Sequence, residues 1–364
     1  MTSRATKKNL LIMAAGTGGH IFPGLAIAEL MQARGWHVTW LGTKKGMEAQ
    51  IVAGRGISMD LLDFSGLRGK GLMHAVSGTL KLILSFISCF KIIWQRKPDV
   101  VLGMGGYVTV PGGVSSFLLG KPLALMNADA PLLLSNRVLK IFAKKLMFGL
   151  PAKSEAKGNP MLAKLVTGNP IRREIADLPE PASRYRARNG VLRILVVGGS
   201  LGAKALNECV PAALALIPTE LRPVVTHQSG QQHLETLRMA YQAAGVEAEV
   251  LAFIDDMPQR YAQADLVICR AGAITVSELT AAGVASILVP LVASSTSHQR
   301  ANAEWLSSLG GGIYLAQSDL NQAALAQVLQ GLDRNRCLEM AQAAYAQGRR
   351  DASETIAQIL EELT

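Results

Sequence analysis

A short apolar run that ends in a glycine turn and opens straight into a helix is the local signature of a βαβ unit, and this chain carries it twice. Leu10-Leu11-Ile12-Met13 leads into Gly16-Thr17-Gly18-Gly19-His20 and a helical pattern over 26–33. Ile194-Leu195-Val196-Val197 leads into Gly198-Gly199-Ser200-Leu201-Gly202 and a helical pattern over 203–216. Parallel strands need a crossover, usually a helix, so each unit implies a parallel sheet. Glycine lets backbone N–H groups approach an anion, and the helix N-terminus adds positive potential. The repetition predicts an α/β chain of two domains, their parallel sheets facing one cleft.

The 364 residues suffice for two cores. In the first half, 38–42, 100–103 and 122–126 read as short buried strands; in the second, 193–197, 223–226, 248–253, 266–269 and 285–289 do so. Gly168-Asn169-Pro170, then Pro179, Pro181 and a charged 184–188 stretch, mark the linker. The expected domains are therefore 1–168 and 169–344. The last helix, about 352–363 within 345–364, can pack on either domain, including back onto the first.

Cys89, Cys209, Cys269 and Cys337 are scattered without a C-x-x-C pair, which argues against a disulfide framework or a zinc site and fits a reducing cytoplasm. Lys7 and Lys8 precede a short apolar run, but that run ends in a glycine turn without a small-residue cleavage site, so a first strand is expected rather than a signal peptide. No stretch reaches the roughly 18 apolar residues of a spanning helix. A net charge of +10 asks for an anionic partner. Aromatic residues are only 5% and are not interleaved with a basic stripe, which disfavours nucleic acid. The overall hydropathy, a mean of +0.24, is high for a soluble protein and points toward lipid instead.

The segment 72–94 sharpens that indication. Ser77, Lys81, Ser85, Ser88 and Gln95 fall at spacings of three, four or seven, one narrow polar stripe along a helix. The rest is broadly apolar, with Leu80, Leu82, Ile83, Leu84, Phe86, Ile87, Phe90, Ile92 and Ile93, flanked by Arg68, Lys70, Lys91, Arg96 and Lys97. Two readings fit: a membrane-surface helix whose cations meet anionic head groups, or a core helix whose Lys81 and Lys91 snorkel out.

A third strand–glycine–helix junction follows 266–269: Arg270-Ala271-Gly272-Ala273-Ile274-Thr275-Val276-Ser277-Glu278. Its N-terminal amides could hold a diphosphate. A carboxylate such as Glu278 would repel phosphate but suits a pair of hydroxyls, as acidic residues grip ribose elsewhere. The alternative is an ordinary solvated helix glutamate. A dinucleotide dehydrogenase is disfavoured, since neither turn spells G-x-G-x-x-G with an acidic residue about twenty positions on.

Six motifs occur in one order: the Gly16 and Gly198 turns, Gly103-Met104-Gly105-Gly106-Tyr107-Val108, Gly168-Asn169-Pro170-Ile171-Arg172, Phe253-Ile254-Asp255-Asp256-Met257 and Thr275-Val276-Ser277-Glu278. In this the chain resembles the peptidoglycan N-acetylglucosaminyltransferases of glycosyltransferase family 28, which convert lipid I to lipid II. The resemblance runs over nearly the whole length. It implies the GT-B fold of two Rossmann-like domains, the N-terminal one taking the lipid acceptor and the C-terminal one UDP-GlcNAc. It favours the membrane reading, with Leu80, Ile83, Leu84, Phe86, Ile87 and Phe90 facing an anionic surface. It further implies peripheral attachment at the cytoplasmic face of the inner membrane and admits cell-wall and division proteins as partners.

Carried over by motif, Ser200 and the helix start Ala273, Ile274, Thr275, Val276 and Ser277 would contact the UDP phosphates, with Arg172 adding a fixed cation. Ile254 would offer backbone groups to uracil, Glu278 would accept the ribose hydroxyls, and His298-Gln299 would approach the sugar. Thr17, Gly18 and Gly19 would close over the donor from the acceptor side, where Gly105, Gly106 and Tyr107 also lie. The implied reaction is a single inverting displacement of UDP by the muramyl C4 hydroxyl. No Asp-x-Asp triplet is present to hold a metal, Asp255-Asp256 read as a loop feature of the uracil pocket, and no cofactor is implied. Helix N-termini and Arg172 would then offset the leaving diphosphate's charge.

The general base is less determined. Where the family usually has His-Glu-Gln-Asn, this chain has Met126-Asn127-Ala128-Asp129, and the Asp often preceding His-Gln is Ser297. His20 and Asp129 remain as candidates, and His20 could equally hold its loop by a hydrogen bond. Two other readings stay open: a GT-B transferase with another lipid acceptor, or a non-catalytic UDP-sugar-binding subunit.

Overall fold

The computed structural model describes residues 7–63, 72–151, 163–186, 188–199, 201–291 and 298–364, without the side chains of 72–80 and 163–164. The chain divides into two units: Met1–Ile171 with Asp351–Thr364, and Arg172–Arg350. The division falls a few residues after the expected 168/169 junction, and the returning segment begins at Asp351.

The first unit holds seven strands: β1 (Asn9–Ala14), β2 (His37–Thr43), β3 (Ser58–Leu62), β4 (Val100–Gly105), β5 (Leu123–Asn127), β6 (Lys145–Phe148) and β7 (Ala163–Val166). All pair in parallel, in the order β3-β2-β1-β4-β5-β6-β7. The second unit holds β8 (Arg193–Val197), β9 (Val224–Gln228), β10 (Glu249–Leu251), β11 (Leu266–Cys269), β12 (Ala285–Leu288) and β13 (Ile313–Tyr314). They too are parallel, in the order β10-β9-β8-β11-β12-β13. Both units are thus Rossmann-like, as expected.

Period-two alternation explains why β1 reads as an unbroken apolar run. Leu10, Ile12 and Ala14 enter one core layer while Leu11, Met13 and Ala15 enter the layer on the opposite face. Ile356, Ile359 and Leu360 of the C-terminal helix Ala352–Glu361 join the first of these layers beside Ile21, Leu25 and Ala28. The last helix therefore belongs to the first unit.

In each sheet the strand order reverses beside the first strand, between β1 and β4 and between β8 and β11. Open α/β sheets leave a crevice at the carboxyl ends of such a pair, and ligands bind there. The glycine junctions singled out above follow these four strands. The helix after β1, Gly18–Ala33, starts inside the turn and runs through Pro23, well before the expected residue 26. Proline so near the N-terminus forfeits only the bond to the Gly19 carbonyl.

The helix Leu72–Arg96 lies on the surface of the first unit. Among its described side chains, Ser85, Cys89 and Ile93 are buried, while Ile83, Leu84, Ile87, Phe90 and Trp94 are 41–63% exposed. Ser85, from the polar stripe, turns inward and donates to the Lys81 carbonyl at 2.8 Å. The helix is not sandwiched in the core, and five of its large apolar side chains face outward. Phe86 is half-buried; Leu80 lies among the undescribed side chains. Nearby, Phe117, Leu118, Leu134 and Ile141 add apolar surface. No helix among the described residues is long and apolar enough to cross a membrane.

Candidate active site

In the first unit, the crevice between β1 and β4 is built from interlocked backbone. The Ala15 N–H donates to the Gly105 carbonyl at 3.2 Å. The Gly16 N–H donates to Glu48 Oε2 at 3.2 Å, and the Ala15 carbonyl accepts from His20 Nδ1 at 3.3 Å. A carbonyl can only accept, so in this bond Nδ1 carries the proton. Trp40, fully buried on β2, donates its indole N–H to the Ala14 carbonyl at 2.9 Å. Gly105 and Gly106 have φ of +125° and +91°. A Cβ on Gly106 would lie 2.2 Å from the Ala15 oxygen, and one on Gly105 2.8 Å from the His20 ring, so both positions require glycine. His20 is thereby pressed between the two loops, while Thr17, Gly19 and Tyr107 are exposed at the rim.

Asp129 follows β5 and is mostly buried. Its loop is shaped by Asn127, fully buried, whose Nδ2 donates to the Asp129 carbonyl at 2.6 Å and whose Oδ1 accepts from the Leu133 N–H at 2.9 Å. Asn127 is thus committed to the loop, and Ala128 carries no chemistry. Within this segment the titratable group is Asp129.

The second crevice lies between β8 and β11. Gly202, at φ +77°, passes so close to Ser229 that a Cβ would lie 1.8 Å from its carbonyl oxygen. Ser200 lies outside the described residues, as does Ser297. After β11, Gly272 precedes the helix Ala273–Ala282, whose first N–H groups have no intrahelical acceptor. Glu278, on this helix, is 8% exposed. Its Oε1 accepts from Arg172 Nε at 3.2 Å and Nη2 at 3.0 Å, and its Oε2 from the buried Tyr261 hydroxyl at 3.3 Å. Burial pushes the carboxyl's pKa up, and Arg172 draws it part of the way back. The residues expected separately at phosphate and ribose are therefore held together, with the Arg172 side chain still 45% exposed.

Ile254 is buried, and its N–H already donates to Gln228 Oε1 at 3.1 Å. Gln228 Nε2 in turn donates to the Gly199 carbonyl at 2.8 Å. One buried amide thus ties the Ile254 loop to the glycine turn. Asp256 accepts from Arg260 Nε at 3.0 Å, which fixes the same loop from its other end. His298 opens the helix His298–Ser308, Gln299 Oε1 accepts from the Leu291 N–H at 2.9 Å, and Asn302 donates to the Ala271 carbonyl at 3.1 Å. Among the described residues no group of three His, Cys, Asp or Glu side chains could hold a metal ion.

Sequence reasoning did not find Glu48, Gln228 or Tyr261. Gln228 carried a faint signal, a polar residue closing an apolar strand at the sheet's carboxyl edge. Glu48 carried none, because its role comes from a contact with Gly16, 32 residues away.

Residues 10–148 match the glycosyltransferase family 28 N-terminal domain, and residues 193–356 the family 28 C-terminal domain. A UDP-N-acetylglucosamine--N-acetylmuramyl-(pentapeptide) pyrophosphoryl-undecaprenol N-acetylglucosamine transferase from Janthinobacterium sp. (strain Marseille) is 61% identical over 98% of this chain and 99% of its own length. The protein of the same name from Herminiimonas arsenicoxydans is 63% identical over 98% of this chain and 99% of its own. A crystal structure of Acinetobacter baumannii MurG superposes with a TM-score of 0.85 at 35% identity, covering 98% of this chain and 99% of that one.

Proposed function

The chain belongs to glycosyltransferase family 28, and on that footing we propose that it transfers GlcNAc from UDP-GlcNAc to the C4 hydroxyl of the MurNAc-pentapeptide of lipid I, giving lipid II. The observation that carries this reading is near-full-length identity above 60% to two transferases of that name. The first unit takes the lipid acceptor and the second UDP-GlcNAc.

The hydroxyl attacks the anomeric carbon from the face opposite UDP and loses its proton to a base. The carbon–oxygen bond to the diphosphate breaks, and its electron pair leaves on UDP. His20 suits the base, since the bond from Nδ1 to the Ala15 carbonyl anchors the ring at the end of β1. Charge developing on the diphosphate meets the N-terminus of the Ala273–Ala282 helix and the Arg172 guanidinium. Glu278 accepts the ribose hydroxyls, the Ile254 carbonyl meets uracil, and Ser200 touches phosphate. His298 and Gln299 lie toward the sugar.

The purified protein, given UDP-GlcNAc and a short-chain lipid I analogue, is expected to form the disaccharide. Donor binding without turnover on any lipid acceptor would leave a non-catalytic sugar-nucleotide subunit as the better account.

Attachment to the membrane is peripheral, at the cytoplasmic face of the inner membrane, through the exposed apolar row of the Leu72–Arg96 helix. Ile83 and Ile87 are 51% and 60% exposed, and Lys81, Lys91 and Lys97 lie on or beside the same helix. The double variant Ile83→Ser, Ile87→Ser is expected to bind vesicles of anionic phospholipid at least about thirtyfold more weakly, at unchanged thermal stability, because burying each side chain in lipid is worth about 1–3 kcal/mol. Undiminished sedimentation with vesicles would rule this surface out. Division and cell-wall proteins are further partners of the assembled site at that membrane.

A further inference from the structure

Glu48 is a fully buried carboxyl for which the reaction above has no use. Among the described residues no cation pairs with it; its oxygens accept instead from Thr43 N at 2.9 Å, Thr43 Oγ1 at 2.6 Å and Gly16 N at 3.2 Å. The chain is shaped around it. A Cβ at Gly46 would lie 2.1 Å from both carboxyl oxygens, and one at Gly42 would lie 2.9 Å from Glu48 Cγ. Buried polar groups of this kind are kept only where every partner is satisfied.

The third donor is the informative one. The Gly16 N–H and the Ala15 carbonyl belong to a single peptide group, planar and trans. Its N–H points to Glu48 and its oxygen, on the opposite side, accepts from His20 Nδ1. Turning that plane moves both bonds at once. An acceptor on the N–H also polarises the amide and strengthens its carbonyl as an acceptor.

We propose that Glu48 is a positioning residue for His20, acting through the Ala15–Gly16 peptide to hold the imidazole by Nδ1 in the orientation from which it takes the proton. The proposal rests on the transferase reading and assigns an acidic partner to its base.

Glu48→Gln tests it at constant shape. Either orientation of the new amide sets its NH2 against a backbone N–H, that of Gly16 or that of Thr43, donor facing donor, so the support of the Ala15–Gly16 peptide is disturbed. The expected result is a kcat about tenfold lower, at a UDP-GlcNAc KM within about twofold of the parent. In a His20→Ala background the same change is expected to cost nothing further. A merely structural Glu48 would lower activity by the same factor in both backgrounds, and that result overturns the proposal, as does an unaltered kcat. Should Glu48→Gln fail to fold, Thr43→Val removes the Oγ1 donor alone and must show the same dependence on His20, at a smaller factor. A parent protein that makes no product would refute the transferase reading itself. A His20→Ala variant with full kcat would refute His20, and Glu48 with it, while leaving that reading intact.

Discussion

Replacing His20 by alanine is expected to lower kcat by about 10²- to 10³-fold while the UDP-GlcNAc KM stays within about threefold, the signature of a group that acts on a proton in the transition state. The geometry argues for such a split. The His20 ring lies against the Gly105 backbone and is anchored through Nδ1 to the end of β1, whereas the groups proposed for the nucleotide lie in the second unit. A side chain that only propped its loop would behave differently. Its loss would slacken the Gly105–Gly106 loop and lower thermal stability, and kcat and KM would shift together. Steady-state kinetics at saturating lipid I analogue, with thermal melting alongside, separate the two. If kcat hardly moves, the proton passes instead to Asp129, and Asp129→Asn should then show the loss. That alternative is a real one in this chain, since Asn127 and Ala128 leave Asp129 as the segment's titratable group.

The sequence disclosed the crevices more fully than the bonds across them. β1, β4, β8 and β11 were legible because both faces of each are buried, which leaves a continuous apolar run, and because glycine follows each one. β3, β6, β7 and β13 were not. β3 carries Ser58 and Asp60 within five residues, β13 is two residues long, and β6 begins inside a lysine-rich stretch, so none shows a pattern that outlasts its flanks. Glu278 and Arg172 were both recognised, but not their contact, which spans 106 positions. The two glycine turns also proved different in how they are held. A carboxyl takes an N–H of the first, through Glu48 and Gly16, and a neutral amide takes a carbonyl of the second, through Gln228 and Gly199. In the first turn the Gly16 N–H is already engaged and is lost to an anion, whereas in the second it is the Gly199 carbonyl that is engaged. That difference favours the proposed assignment of phosphate to the second turn and of the hydroxyl chemistry to the first.

Glu278→Ala is expected to raise the UDP-GlcNAc KM by about 30- to 100-fold with kcat changed by no more than about threefold. Hydrogen bonds from ribose hydroxyls to a charged carboxylate contribute about 1.5–3 kcal/mol each. Part of that loss is offset, because the variant frees Arg172 from its two bonds to Oε1 and leaves an unpaired guanidinium for the diphosphate. The offset explains why the expected change lies below the sum of two such bonds. A sharper readout uses the 2′-deoxyribose analogue of the donor. The parent should use it poorly, and Glu278→Ala should scarcely distinguish it from UDP-GlcNAc; a discrimination that survives the substitution removes Glu278 from the ribose. The sign of the pH dependence follows from the same contacts. Burial raises the carboxyl's pKa and Arg172 only partly reverses this, so the group takes up a proton at a higher pH than an ordinary glutamate. Once protonated it loses acceptor capacity, and the donor KM of the parent should climb as pH falls toward that point, while that of Glu278→Ala, which has no such group, stays flat.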